Sequence, residues 1–273
     1  MQPRFSENWW IIQVTVLLSN DDGVEAAGLI ALEKEVSAKR SVHVVAPNKD
    51  RSGVSNCLTL DRPLHVHTLS NSYISVDGTP TDCVHLGTSE LLIPLPERVL
   101  SGINHGANLG DDVLYSGTVA AAMEGRFLEK PAIAFSLVTG DYSEVLPDFS
   151  VAAKLAVEIM ALIDGFNAPS RTVFNVNIPD VPRDQIKGVK MTTLGQRLKS
   201  ESPILAQNPR GKTIYWIGRA GGPVDYAEGT DFLALQENYI SITPLHADMS
   251  SAEFYQWTEL SIDDVVLEVG GAS

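Results

Sequence analysis

Short apolar runs alternate with stretches of helical spacing from the N-terminal region to about residue 180. Ile11–Leu18 (IIQVTVLL) is rich in β-branched residues and predicts a buried strand. Leu29–Ala38 has the 3.6-residue spacing of a helix, and Ser41–Ala46 reads as a second strand. Leu64–Thr68 and Tyr73–Val76 alternate like a hairpin, and a helix is expected over Cys83–Leu91 with Asp82 as its cap. Arg98–Ile103 is a further strand, and Ser116 opens a strong helical pattern. Pro131–Leu137, then a helix over Phe149–Asp164, then a strand over Arg171–Asn177 complete the series. Strands alternating with helices predict an α/β fold, a Rossmann-like, mostly parallel sheet with helices on both faces.

The pattern changes after about Pro179. Short β-like runs (GVKMTTLG, KTIYWIG, YISITPL) lie among Gly- and Pro-rich loops, with no compact helical partner. This reads as a β-rich C-terminal arm, either an oligomer contact or a decorated edge of the same domain. The expected organisation is therefore an extension over 1–10, an α/β catalytic domain over 11–180, and an arm with a terminal segment over 181–273.

Composition narrows the function. At 273 residues, 44% of them hydrophobic, the chain can bury a full core. Its net charge of −14 argues against a nucleic-acid polymer as partner. A small anion would need a local positive centre, such as a bound metal ion. The apolar run Trp9–Leu18 is too short to span a bilayer and lacks the basic start and cleavage site of a signal peptide. No membrane association is expected, and the location is expected to be cytoplasmic. Cys57 and Cys83 form no CxxC pair, so they read as reduced, mostly buried thiols.

Polar clusters follow three of the predicted strands: SNDDG, NKDRSGVSN and NHGANLGDD. In an open parallel sheet these are carboxyl-end loops, where ligands bind at the reversal of strand order. Asp21 and Asp22 are adjacent carboxylates that suit a hard cation such as Mg²⁺ or Mn²⁺, although a DDG is also an ordinary turn. Ser52 and Asn104 add neutral oxygens, or else serve loop backbone. Ser116, Gly117 and Thr118 open a helix whose free N–H groups suit a phosphate, while Ser116 also reads as an N-cap. Asn20, Gly53 and Asn56 offer further donors. The histidines lack metal spacing: His65 and His67 lie away from these loops, His43 reads as a packed core residue, and only His105 falls near the site, as a weak candidate proton carrier.

Four long segments, LLSNDDGVEAAG, VVAPNKDRSGVSNCLTL, DGTPTDCVHLG and SGINHGANLGDDVLYSGTVAAAMEGR, together resemble the signatures of the SurE (survival protein E) family of metal-dependent nucleotidases. YWIG, GTDF and YISITPL extend the resemblance, which spans Val16 to Leu245. It implies hydrolysis of nucleoside 5′- and 3′-monophosphates and of short polyphosphate, with one divalent ion per subunit held by Asp21, Asp22, Ser52 and Asn104. It also implies a homodimer or homotetramer built partly by exchanged C-terminal segments. The chain departs from the family pattern in its longer start, which includes Trp9 and Trp10, in NKDRSG where Asp-Arg-Asn is commoner before RSG, and in AAG at Ala26–Gly28. The expected chemistry is direct hydrolysis, with Asp21 or Asp22 orienting the water or taking its proton.

Other classes fit less well. An aspartyl-phosphate phosphatase needs Asp-x-Asp-x-Thr after the first strand, and position 23 is Gly. A dinucleotide-binding oxidoreductase needs a GxGxxG there, which is missing. A nucleotide-binding sensor that keeps the pocket without turnover stays open as an alternative, with intact Asp21, Asp22 and Asn104 arguing against it.

Overall fold

The computed structural model describes residues 15–89, 91–92, 94–139 and 147–250. The expected extension at 1–10, the first residues of the first strand, and the end of the terminal segment lie outside the described residues.

Strand β1 (Thr15–Ser19) is buried throughout and lies inside a sheet, as its apolar sequence requires. Helix α1 (Ala27–Ser37) and strand β2 (Ser41–Pro47) follow, then the hairpin strands β3 (Val66–Thr68) and β4 (Ile74–Val76). Helix α2 (Pro80–Gly87) starts earlier than expected, because Thr79 and not Asp82 is its cap. Pro80 occupies the first turn, where its missing N–H costs nothing. Asp82 completes a capping box, accepting from Thr79 N–H at 2.8 Å while Thr79 Oγ1 accepts from Asp82 N–H at 3.1 Å.

Strand β5 (Arg98–His105), helix α3 (Gly117–Glu124), strand β6 (Ala132–Val138), helix α4 (Ser150–Asp164) and strand β7 (Val173–Pro179) continue the alternation. Then come β8 (Val189–Met191), β9 (Ile204–Gln207), β10 (Thr213–Trp216), the short helix α5 (Asp231–Gln236) and β11 (Ile240–Leu245). The sheet runs β3-β4-β2-β1-β5-β6-β7-β11-β8. Pairing is parallel from β4 through β7, while β3 on β4 and β11 on β7 are antiparallel.

Side chains on β1 divide between two cores. Val16 and Leu18 pack with Leu29, Leu32 and Val36 of α1 and with the apolar face of α4. Leu17 faces the other way, towards Cys83 and Val84 of α2 and Val119 and Ala122 of α3. Period-two alternation on a strand covered from both sides produces this split. The α/β expectation holds, with one correction near the C-terminus, a short helix where none was expected, and the edge strands fit the alternative of a decorated edge of the same domain. Helix α5 exists, and β8 and β11 belong to the main sheet, so the sheet continues past residue 180. Only the β9–β10 ribbon pairs apart from it among the described residues. No helix among the described residues is long and apolar enough to cross a membrane.

Candidate metal and phosphate site

Strand order reverses at β1. The chain leaves β1 for β2 on one side and returns as β5 on the other. A crevice opens at the carboxyl ends of such a pair. Asp21 and Asp22 follow β1, and Asn104 lies near the end of β5. Ser52 lies on the loop after β2, the next strand over.

The loop after β1 is shaped by Asn20 and Gly23. Asn20 Nδ2 donates to the Gly23 carbonyl at 2.9 Å, and Gly23 adopts φ +108°, a conformation that favours glycine. The same turn is pressed onto the loop after β2, since a Cβ on Gly23 would meet the Lys49 carbonyl carbon at 3.3 Å. Arg51 N–H donates to the Asp21 carbonyl at 2.8 Å, which fixes the approach of the two loops. Asp50 Oδ1 then accepts from both Ser52 N–H and Ser52 Oγ at 2.7 Å. Farther along, Ser55 Oγ donates to the Leu114 carbonyl at 2.6 Å. Thr59 Oγ1 donates to Asp82 Oδ2 at 2.6 Å. The loop carrying Ser52, Gly53 and Asn56 is thus pinned from β1 to the turn before α3.

Asp21 is buried, and Thr118 Oγ1 makes a short hydrogen bond to its Oδ1. Burial pushes the Asp21 carboxyl above the usual range, with Thr118 pulling the other way. Asp22 is pushed up to about 7, first by burial and then by the Asp21 charge. The His105 N–H, donating to Asp22 Oδ2 at 3.3 Å, offsets this only in part. Asn104 Nδ2 donates to the Gly106 carbonyl at 2.9 Å, fixing its amide.

This donor set fits a hard dication. Two crowded carboxylates are each disfavoured as an anion by burial, and no salt bridge to either is found among the described residues. Ser52 and Asn104, on the loop after β2 and at the end of β5, carry neutral oxygens of the kind such an ion takes. No group of three or more His, Cys, Asp or Glu side chains suited to a metal occurs among the described residues.

The other expected residues fall in different places. Ser116 caps α3 by accepting from Val119 N–H at 3.0 Å. Gly117 has no room for a side chain, because its Cβ would fall 2.6 Å from Asp21 Cβ. Asn20 is fully buried with its amide donor committed to the turn, while Gly53 and Asn56 are exposed on the pinned loop. His105 is exposed, with its ring edge-on to Phe149 at 6.4 Å. Cys83 is buried as expected, but Cys57 is exposed, because it sits on the loop over α2 and not in the core; both thiols are free. His43 is only half-buried, because the N-terminal part of β2 is incompletely covered.

Sequence reasoning missed the brace behind the site. Asn177 Oδ1 accepts from Asn108 N–H at 2.9 Å, and Asn175 and Asn177 both donate to the Asn108 carbonyl. Buried Asp231 accepts from Gly110 N–H and Gly195 N–H, each at 2.8 Å. Both sets hold the loop after β5. The NVN alternation in an otherwise apolar strand was the available signal for the asparagines.

The sequence matches a known family. A family model described as survival protein SurE matches residues 16–201. The chain belongs to the SurE family. It is 53% identical over 239 residues to a protein of Ectopseudomonas mendocina (strain ymp) named 5′-nucleotidase SurE, covering 87% of this chain and 94% of that one. A protein of the same name from Legionella pneumophila (strain Corby) is 49% identical over 253 residues, covering 93% and 99%. The crystal structure of the SurE protein from Aquifex aeolicus superposes with a TM-score of 0.75 at 41% identity, covering 88% of this chain and 96% of that one. SurE nucleotidases are generally metal-dependent, in keeping with the oxygen-only donor set.

Proposed function

We propose that this SurE-family chain is a 5′-nucleotidase, a phosphomonoesterase that hydrolyses nucleoside monophosphates to nucleoside and phosphate. The observation that carries this reading is the pair Asp21–Asp22 at the strand reversal, in a chain about half identical to proteins named 5′-nucleotidase SurE. Asp21, Asp22, Ser52 and Asn104 would hold one Mg²⁺ or Mn²⁺ per subunit. When bound, the ion supplies a Lewis acid that offsets charge on the phosphoryl group and acidifies water.

The protein's own groups do the rest. Ser116 Oγ and the Gly117 N–H open α3 and offer donors to phosphate oxygens. Gly53 and Asn56 close the opposite side from the pinned loop. Asp22, more exposed than Asp21, is the better placed of the two to orient water or take its proton. Hydrolysis then proceeds without a covalent phospho-enzyme. Activity towards 3′-monophosphates and short polyphosphate, a cytoplasmic location and a homodimer or homotetramer belong to the same proposal.

Phosphate release from AMP, with EDTA and after adding back Mg²⁺ or Mn²⁺, tests it. Activity should disappear on chelation and return with either ion. Full turnover after exhaustive chelation would overturn the metal reading, and no turnover with any nucleoside monophosphate at any metal concentration would leave a binding protein.

A further inference from the structure

The first turn of α3 has few donors left for a ligand. Val119 N–H goes to Ser116 Oγ and Ala120 N–H to the Ser116 carbonyl, both at 3.0 Å. Thr118 is fully buried, and its hydroxyl is donated to Asp21 Oδ1. Gly117 closes the gap, because a Cβ there would come within 2.8 Å of Asp21 Oδ2. Asp21 is therefore seated against the helix terminus itself, where the positive end of the dipole and the N–H groups favour an anion.

We propose that Thr118 is a positioning residue for Asp21, holding that carboxylate in one orientation for the divalent ion, and is not a contact to the substrate phosphate. The proposal rests on the metal-site reading above. A ligand carboxylate fixed through one oxygen by a buried hydroxyl keeps its remaining lone pairs directed outward. Neighbours of this kind commonly change metal affinity by about 10–100-fold when removed. The same geometry accounts for the order Ser-Gly-Thr. Ser116 caps the helix, Gly117 leaves space for Asp21, and Thr118 grips it.

Thr118→Val keeps the shape and removes the hydroxyl donor, while Thr118→Ser restores it. Mn²⁺ binding to substrate-free protein, followed by electron paramagnetic resonance, should weaken about tenfold in Thr118→Val and recover in Thr118→Ser. Inhibition by inorganic phosphate at saturating Mn²⁺ should stay within about twofold of wild type in both, since other groups would hold the phosphate. Unchanged Mn²⁺ affinity in Thr118→Val with weakened phosphate inhibition would overturn the proposal and return Thr118 to the phosphate. Equal loss in Thr118→Val and Thr118→Ser would also overturn it. Thr118→Ala repeats the measurement should Thr118→Val fail to fold. Absence of Mn²⁺ binding in the wild-type protein is a separate result and would remove the metal site itself.

Discussion

The backbone N–H of His105 donates to Asp22 Oδ2 at 3.3 Å, joining the end of β5 to the loop after β1 across the strand reversal. On the His105 side the contact uses main chain only, so the position of the Asp22 carboxylate does not depend on the imidazole. His105→Ala should therefore leave Mn²⁺ affinity within about threefold of wild type. A loss of 100-fold or more in kcat alone would instead make the ring a proton carrier.

Asp21→Asn and Asp22→Asn separate a chemical role from a turn role. Asn keeps size and turn preference, but removes a charge from the ion's seat. Turnover should fall about 100-fold or more in each variant at limiting Mg²⁺. For Asp22→Asn the melting temperature in EDTA should hold or rise, because Asp21 loses a repelling neighbour and the single His105 N–H can still be accepted by the amide oxygen. Retained turnover at limiting Mg²⁺ would reduce the pair to a turn.

The raised Asp22 carboxyl fixes a pH trend for the metal-free protein. Its folded-state value is about 7, against an ordinary 3.8. A group raised on folding contributes stability that is complete below the unfolded value and lost as pH rises through the folded one. In EDTA, moving from pH 6 to pH 8 should cost on the order of 1 kcal/mol, read by urea denaturation at each pH. Saturating Mn²⁺ should abolish the trend at the alkaline end, since the ion binds the ionised form. A metal-free protein that gains stability over that range would contradict the burial argument.

Much of the fold and site was legible because local pattern and chemistry agreed. The described part of the first apolar run, Thr15–Leu18, lies buried inside the sheet as its composition requires, and chain order puts Asp21–Asp22 just beyond it at the strand reversal. The α2 start differs from the expectation of a cap at Asp82 because Thr79 and Pro80 together set the helix about one turn earlier. Residues past 180 were harder. The β11 run YISITPL pairs with β7 through contacts distant in sequence, and periodicity carries no information on partners. At Thr118 the sequence offers no way to choose, because helix-start chemistry looks the same whether the anion is a bound phosphate or a buried Asp from 97 residues away.

Asp231 tests whether the loop after β5 depends on its brace. Its Oδ2 accepts from Gly110 N–H, and its Oδ1 from Gly195 and Phe232 N–H. Burial pushes the carboxyl up, opposed by those N–H bonds. Asp231→Asn must set an amide NH₂ against at least one of these donors. The expected cost is about 2–4 kcal/mol, measured by urea denaturation. A change below about 0.5 kcal/mol would show that the loop is held without it.

The β9–β10 ribbon carries apolar residues on both of its faces. Ile204 pairs with Trp216 and Leu205 with Tyr215, and successive strand residues point to opposite sides. All are largely exposed, Leu205 at 62% and Trp216 at 64%. A two-stranded ribbon is marginal in water unless something covers it, and large exposed apolar patches mark interfaces. A second copy of the chain is the proposed cover, so wild-type protein at micromolar concentration should scatter light as a dimer or tetramer. Leu205→Glu with Trp216→Glu places a charge on each face and should shift the population towards monomer. Mn²⁺ affinity per chain should stay within about threefold, since neither residue is among the proposed ligands. A wild-type monomer at all accessible concentrations would rule out the oligomer, and an unchanged oligomer in the double variant would move the interface away from this ribbon.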